Sequence, residues 1–343
     1  LNQDLSVITK GLSLKALVNF KNWSETSYTR SIKSNIYKVK DGSYNPETGE
    51  YDYQLLQTGD QFLSQSGISR NSDQTFYFDA RLDWKRSFGD HNLTAMAMYM
   101  MREYRSDVLP NRNQGYSGRV TYDYASKYLV EFNFGYNGSE RLAAGHRFEF
   151  FPAVSAGWVA SSEKFWEPIS KYINHFKIRG SYGLVGSDAF ASGAPHFLYQ
   201  NNIGIGSAHN FWTGLPTSEI SKKGPGFYVL AVQDAGWEHV KKFDIGFDMM
   251  LFNQLNITFD YFHDKRERIL MSRASWPSML GYWGSKPWSN IGEVENQGFE
   301  LSLNWTKQFG KDLTLDLRGN FTYNQNEYKY VDEPSYPYVW QTN

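Results

Sequence analysis

Few residues in this chain have the type and spacing to do bond chemistry. Ser161-Ser162-Glu163-Lys164 matches S-x-x-K, in which a lysine helps to activate a serine nucleophile. Its companion motifs are missing, so acyl transfer is not expected. The histidines (91, 146, 175, 196, 209, 239 and 263) show no H-E-x-x-H or comparable ligand spacing. His196 and His209 share one connection, but two imidazoles without further ligands do not make a metal site. There is no cysteine, which excludes disulfides, cysteine-ligated zinc and thiolate nucleophiles. Gly180 to Gly186 is glycine-rich yet does not fit G-x-G-x-x-G, and a long connection follows it where a phosphate-binding turn would open a helix. Asp41, Asn45, Glu47 and Asp52 offer oxygen ligands. Pro46 stands where an EF-hand needs its central glycine, and Asp52 where it needs glutamate, so a solvated acidic turn is expected and a loop calcium ion is not supported. No cofactor is expected. Enzymatic activity is not expected either.

Two other groups of residues are better suited to binding than to catalysis. Asp79, Arg81, Asp83 and Lys85 fall at alternate positions and form a ladder of opposite charges, not an acid/base pair. Large rings cluster in two connections: Trp212 and Tyr228 in one, and Trp276, Tyr282, Trp283 and Trp288 in the other. Exposed rings can stack on sugar faces or anchor a peptide, and they can equally pack a connection onto a partner.

The elements that must position these residues are strands. From Phe76 one face reads Phe76, Phe78, Ala80, Leu82, Trp84, and the other Tyr77, Asp79, Arg81, Asp83, Lys85. Tyr128, Val130, Phe132, Phe134 and Tyr136 oppose Leu129, Glu131, Asn133, Gly135 and Asn137. Phe243 to Leu251, Phe299 to Trp305 and Leu313 to Tyr323 alternate in the same way. About twelve segments follow this rule: 2–9, 12–21, 75–87, 92–104, 117–125, 128–138, 150–161, 175–186, 237–251, 255–264, 296–308 and 312–325. Most are long enough for the roughly 9–11 tilted residues that cross a bilayer as a strand.

Composition and connections agree with that reading. Rings make up 17% of a chain whose mean hydropathy is −0.57, so large apolar groups sit in a polar background. The net charge of −1 gives no footprint for nucleic acid. Short links at Lys10-Gly11, Gly89-Asp90-His91, Ser126-Lys127, Asn253-Gln254 and 309–311 alternate with long ones at 22–74, 105–116, 139–149, 187–236 and 265–295. The link Ser162 to Asn174 is the long exception among the short ones. Lipid cannot hydrogen-bond a free strand edge, so strands cross it as a closed barrel, with short periplasmic turns and long extracellular loops. Trp84, Tyr99, Tyr124, Tyr128, Tyr136, Trp158 and Trp305 suit interfacial girdles. The expected fold is all-β: an antiparallel transmembrane β-barrel in a bacterial outer membrane, with the charged ladder towards its lumen.

Phe132–Trp158 (FNFGYNGSERLAAGHRFEFFPAVSAGW), Lys177–Gly186 (KIRGSYGLVG), Trp237–Leu270 (WEHVKKFDIGFDMMLFNQLNITFDYFHDKRERIL) and Asn290–Glu300 (NIGEVENQGFE) resemble, in order, the barrel of SusC-like TonB-dependent transporters of Bacteroidetes. Leu5–Leu17 looks like an earlier hairpin of the same barrel. The resemblance implies a 22-stranded barrel, of which about twelve strands are here. The expectation is therefore that residues 1–343 are the central barrel portion of a longer polypeptide, without its plug domain, its TonB box or its last strands. It further implies import of oligosaccharides or peptides beneath a SusD-like surface lipoprotein, driven by the TonB complex through the plug. A diffusion porin, a receptor barrel without transport and a secreted glycan-binding β-protein are the alternatives.

Overall fold

A computed structural model describes residues 1–106, 109–190, 194–213, 220–277, 279, 286–334 and 338. The strands are β1 (Asn2–Asp4), β2 (Leu12–Ser31), β3 (Ile36–Val39), β4 (Tyr53–Gln57), β5 (Ser64–Phe88), β6 (His91–Arg105), β7 (Asn111–Tyr124) and β8 (Tyr128–Ser139). They continue with β9 (Phe148–Val159), β10 (Ile173–Ser187), β11 (Asn202–Thr213), β12 (Ile220–Val229), β13 (Glu238–Leu251), β14 (Leu255–Ser272), β15 (Trp288–Phe309) and β16 (Leu313–Tyr330). Twelve of them form one sheet in the order β1-β2-β5-β6-β7-β8-β9-β10-β13-β14-β15-β16. The hairpins β3-β4 and β11-β12 are inserted into this meander. Two units result: Leu1–Val18 with Tyr77–Glu103 and Asn111–Asn343, and Asn19–Phe76 with Tyr104–Pro110.

Register explains the two faces of the first unit. One row across the sheet reads Tyr124, Tyr128, Trp158, Ile178, Phe247, Phe259, Leu301, Phe321. The row one residue along reads Asp123, Leu129, Gly157, Arg179, Gly246, Asp260, Glu300, Thr322. A period of two turns a step along the strand into a change of solvent. Val130, Phe132, Val154, Ile245 and Phe321 on the apolar face are 42–56% exposed, whereas Glu131, Ser155, Asp244 and Asp260 on the polar face are partly covered. Water would select the reverse; lipid selects this arrangement. Rings on the apolar face touch in series, Phe176–Phe247 at 6.0 Å, Phe247–Phe259 at 5.6 Å, Phe259–Phe299 at 6.1 Å and Phe299–Phe321 at 5.7 Å.

Tight links join strands at one end. Ala125-Ser126 and Phe252-Asn253 hold positive φ at both central positions, the turn whose twist matches paired strands. The long link 160–172 lies at the same end and contains two short 3₁₀ segments. Three expectations need correction. The first segment stops at Asp4, not at residue 9, because Asp4 Oδ1 accepts the Ser6 backbone N–H (2.8 Å) and turns the chain. β2, β5, β14 and β15 run well beyond the expected bounds. The connections 22–74 and 187–236 carry the β3-β4 and β11-β12 hairpins, not loop alone.

Candidate functional site

The polar face converges on Arg179. In its row the neighbours on β9 and β13 are Gly157 and Gly246, so the side chain lies between two positions without side chains. Its guanidinium crosses over Gly246 to Asp260 (Nη2–Oδ2 2.7 Å) on β14, and also meets Asp248 (Nε–Oδ2 3.2 Å) and Asp244 (Nη1–Oδ1 3.6 Å) on β13. A Cβ at Gly246 would run into Asp260 Oδ1 and the Phe259 carbonyl oxygen, so this crossing requires glycine. Thr258 donates its hydroxyl to Asp248 Oδ1 (3.2 Å), and Arg119 pairs with Glu131 on the same face. Two recesses open here, of about 410 Å³ against Glu131, Ser155 and Lys177 and about 450 Å³ against Asp260, Asp264 and Glu300, and both are bordered by Arg179, Ser181 and Asp244. Such a wall offers paired charges and hydroxyls for recognition. It offers no nucleophile with a base. Among the described residues no group of three or more His, Asp or Glu is placed to hold a metal.

The expected ladder lies on β5. Arg81 Nε meets Asp83 Oδ2 at 2.9 Å, and Lys15 Nζ reaches the same oxygen from β2 at 3.5 Å. Asp79 and Lys85 occupy the flanking alternate positions of β5.

At the long-connection end, connections 140–147 and 188–237 are anchored by two small cores. Leu142, Phe151 and Trp237 form one, and Leu198, Ala235 and Leu270 the other, with Phe190 packed against both. Arg141 lies 4.2 Å over the Phe190 ring and donates to the Asp188 carbonyl (3.1 Å). Trp237 Nε1 donates to the Arg147 carbonyl (3.0 Å). Asn290 closes the set, accepting the Gly236 N–H (3.0 Å) and donating to the carbonyls of Gly236 (3.1 Å) and Arg268 (2.8 Å). His196 sits beside this cluster. Burial, and then the Arg141 charge, pull its imidazole below the ordinary histidine value despite Glu140 and Asp188. The side chain of His209 lies outside the described residues.

The aromatic candidates are not gathered at one point. Trp212, 62% exposed, is near the tip of the β11-β12 hairpin opposite Ser221, and Tyr228, 53% exposed, is near its base. Trp276 is partly buried in the turn after β14, with its Nε1 buried and without a hydrogen-bond partner. Trp288 opens β15 and packs against Leu198, Ala235 and Leu270. Tyr282 and Trp283 lie outside the described residues. Sequence reasoning missed the Arg179 hub. Its signal is a glycine between two aspartates on one polar face, Asp244-x-Gly246-x-Asp248.

Residues 9–339 match the family described as TonB dependent receptor-like, beta-barrel. TonB-dependent receptor P3 of Formosa agariphila is 31% identical over 211 residues, 61% of this chain and 20% of that protein. TonB-dependent receptor SusC of Bacteroides thetaiotaomicron is 24% identical over 324 residues, 90% of this chain and 28% of that protein. The chain therefore spans between a fifth and under a third of the length of these curated relatives. A structure of the RagAB peptide importer in its open-open state superposes with a TM-score of 0.70 at 19% identity, over 94% of this chain and 35% of the other. The outer membrane transporter YddB from Escherichia coli gives 0.56 at 12% identity, over 95% and 41%. These two show the fold.

Proposed function

We propose, for a chain that belongs to the TonB dependent receptor-like β-barrel family, that it forms part of the wall of an outer-membrane importer of oligosaccharides or peptides. The family is one of bacterial outer-membrane transporters and receptors, not of enzymes. The observation that carries the reading is the pairing of an exposed apolar face with a charge-paired polar face from β7 to β16, with the anchored long connections at one end. Strand edges cannot be left open in hydrocarbon, since each unpaired backbone group costs several kcal/mol there. β1 and β16 are the ends of the strand order and their outer edges must be paired, and in our reading further strands of a longer polypeptide pair them, residues 1–343 being its central barrel portion.

In this reading substrate arrives at the long-connection end beneath a SusD-like lipoprotein. Trp212, Tyr228, Trp276, Tyr282, Trp283 and Trp288 supply ring surface to substrate or lid. The polar face, with the Asp79/Arg81/Asp83/Lys85 ladder and the Arg179 hub, lines the lumen against a plug whose TonB-driven movement releases substrate inward. No bond is made or broken.

The test is native mass spectrometry of the polypeptide extracted from outer membranes in detergent. A polypeptide far heavier than 39.7 kDa, carrying a lipidated partner and a bound oligosaccharide or peptide, is the expected result. A lone species near 39.7 kDa would turn the reading to a porin or a receptor without transport.

A further inference from the structure

The link 160–172 is the longest connection at its end of the strands, and neither the lumen nor the long-connection end accounts for it. We infer that it anchors the barrel in the phospholipid leaflet on its own side, with its rings in the interface and its lysines at the headgroup phosphates. Three observations support this. First, the link continues the apolar face. Trp166 lies flat on Phe176, centroids 5.3 Å apart and planes 8° apart, and so extends the ring series of β10, β13, β14, β15 and β16. Phe165 bridges Trp158 and Trp166 at 6.2 and 6.1 Å, and Tyr172 meets Phe252 of the neighbouring turn at 6.0 Å.

Second, Trp166 is partly covered by its stacking on Phe176, but the outer apolar groups of the cluster stay exposed among the described residues. Phe165 is 62%, Tyr172 61%, Phe252 57% and Ile169 40% exposed. The link is nevertheless held in place. Glu163 accepts from Lys127 (3.1 Å) and Tyr128 (2.9 Å), the Trp166 indole donates to the Ile173 carbonyl (3.0 Å), and Phe252 N–H donates to the Tyr172 carbonyl (2.9 Å). A fixed, exposed cluster of rings contiguous with a lipid-facing surface fits the interface, where an amphipathic ring has one side in hydrocarbon and one in water. Third, the charge fits. Lys127 neutralises Glu163, while Lys164 and Lys171 are exposed and make no ion pair among the described residues; Glu167 is the one exposed acid within 164–171. Basic residues beside a ring cluster suit anionic phospholipid headgroups.

The inference rests on the apolar face being lipid-facing, so the test separates the two. Nitroxides are placed singly on the full-length polypeptide, freed of other cysteines and reconstituted in phosphatidylethanolamine/phosphatidylglycerol vesicles. The positions are Ile169→Cys in the link, Val154→Cys on the apolar face and Glu47→Cys in an exposed turn. Collision with oxygen relative to a nickel chelate reports depth. Val154→Cys is expected to be deep, Glu47→Cys aqueous and Ile169→Cys several-fold above Glu47→Cys. Lys164→Glu with Lys171→Glu should lower the Ile169→Cys ratio by roughly two-fold or more. A deep Val154→Cys with an aqueous Ile169→Cys would overturn the anchor alone. An aqueous Val154→Cys would overturn the lipid-facing assignment, and the anchor with it. An unchanged ratio after charge reversal would overturn the role given to the lysines.

Discussion

Replacing Gly246 with valine should break the polar wall at its centre. Arg179, Gly246 and Asp260 share one row, with strands about 4.8 Å apart, so Arg179 and Asp260 stand roughly 10 Å apart at the backbone. The guanidinium spans that gap only because the middle position is bare. Any Cβ there meets Asp260 Oδ1 and the Phe259 carbonyl oxygen; the second is backbone and cannot swing away. Two terms follow. Losing the 2.7 Å Arg179–Asp260 contact removes a charge-assisted hydrogen bond of about 1.5–3 kcal/mol. The side chains are 32% and 18% exposed, so screening reduces that to about 1–2 kcal/mol. Overpacking of a close site adds about 1–3 kcal/mol. The expected loss is about 2–5 kcal/mol in total.

Guanidinium chloride unfolding of the full-length polypeptide in vesicles, followed by tryptophan fluorescence, measures it. A cycle with Asp260→Asn isolates the pair. In the Asp260→Asn background, Gly246→Val should cost about 1–2 kcal/mol less, because the ion pair has already gone. Equal costs in the two backgrounds, or a Gly246→Val protein within about 0.5 kcal/mol of the parent, would refute the claim that the bare position exists for the guanidinium.

Adjacent residues on β9 test the two faces. Val154→Lys should cost about 2–4 kcal/mol in the same titration, because it puts an ammonium in hydrocarbon, whereas Ser155→Lys should cost under about 1 kcal/mol. Trp237→Ala removes a ring from one small core together with its bond to the Arg147 carbonyl, and should cost about 3–5 kcal/mol locally. The measured sign is faster hydrogen exchange across 140–147 and 229–237. The Glu163 carboxylate, held by Lys127 and Tyr128 below the usual carboxylate range, keeps the link on β8. A lowered folded-state pKa gives stability that is present above the unfolded value and lost as pH falls through the folded one. Exchange in 160–172 should therefore quicken only as pH falls below the ordinary carboxylate range, and Lys127→Met should move that step to higher pH. Burial alone would raise the Asp332 carboxyl, but the Ser275 backbone N–H and hydroxyl, with Arg273, outweigh it and hold it low. Asp332→Asn should free residues 273–276 to proteolysis at neutral pH while leaving the sheet intact.

Strands were legible where the two faces meet different solvents, and not elsewhere. From Tyr128 to Tyr136, or from Phe243 to Leu251, lipid demands apolar groups at every second position and the other face excludes them, so alternation is written into the residues. All twelve strands of the large sheet correspond to segments visible in this way, although their ends do not. Beyond the lipid, both faces of a strand meet water or other protein, and the constraint disappears. β14 continues through His263, Asp264, Lys265, Arg266 and Glu267 with no apolar face to reveal it. The β3-β4 hairpin has no covered face to reveal it either, with Tyr37, Val39, Tyr53 and Leu55 all exposed.

The polar wall is harder to read because its logic runs across strands. Asp244, Gly246 and Asp248 can be placed on one face from the sequence, and so can Asp260. That Arg179 stands in the row of Gly246 depends on the register between β10 and β13, whose closing turn is replaced by the whole 188–237 insertion. A one-residue slip would put Arg179 among rings. The row fixes the register in turn. The apolar row beside it admits no charge, and the bare Gly246 admits one guanidinium and one carboxylate, so the two rows are satisfied together at a single pairing of β10, β13 and β14.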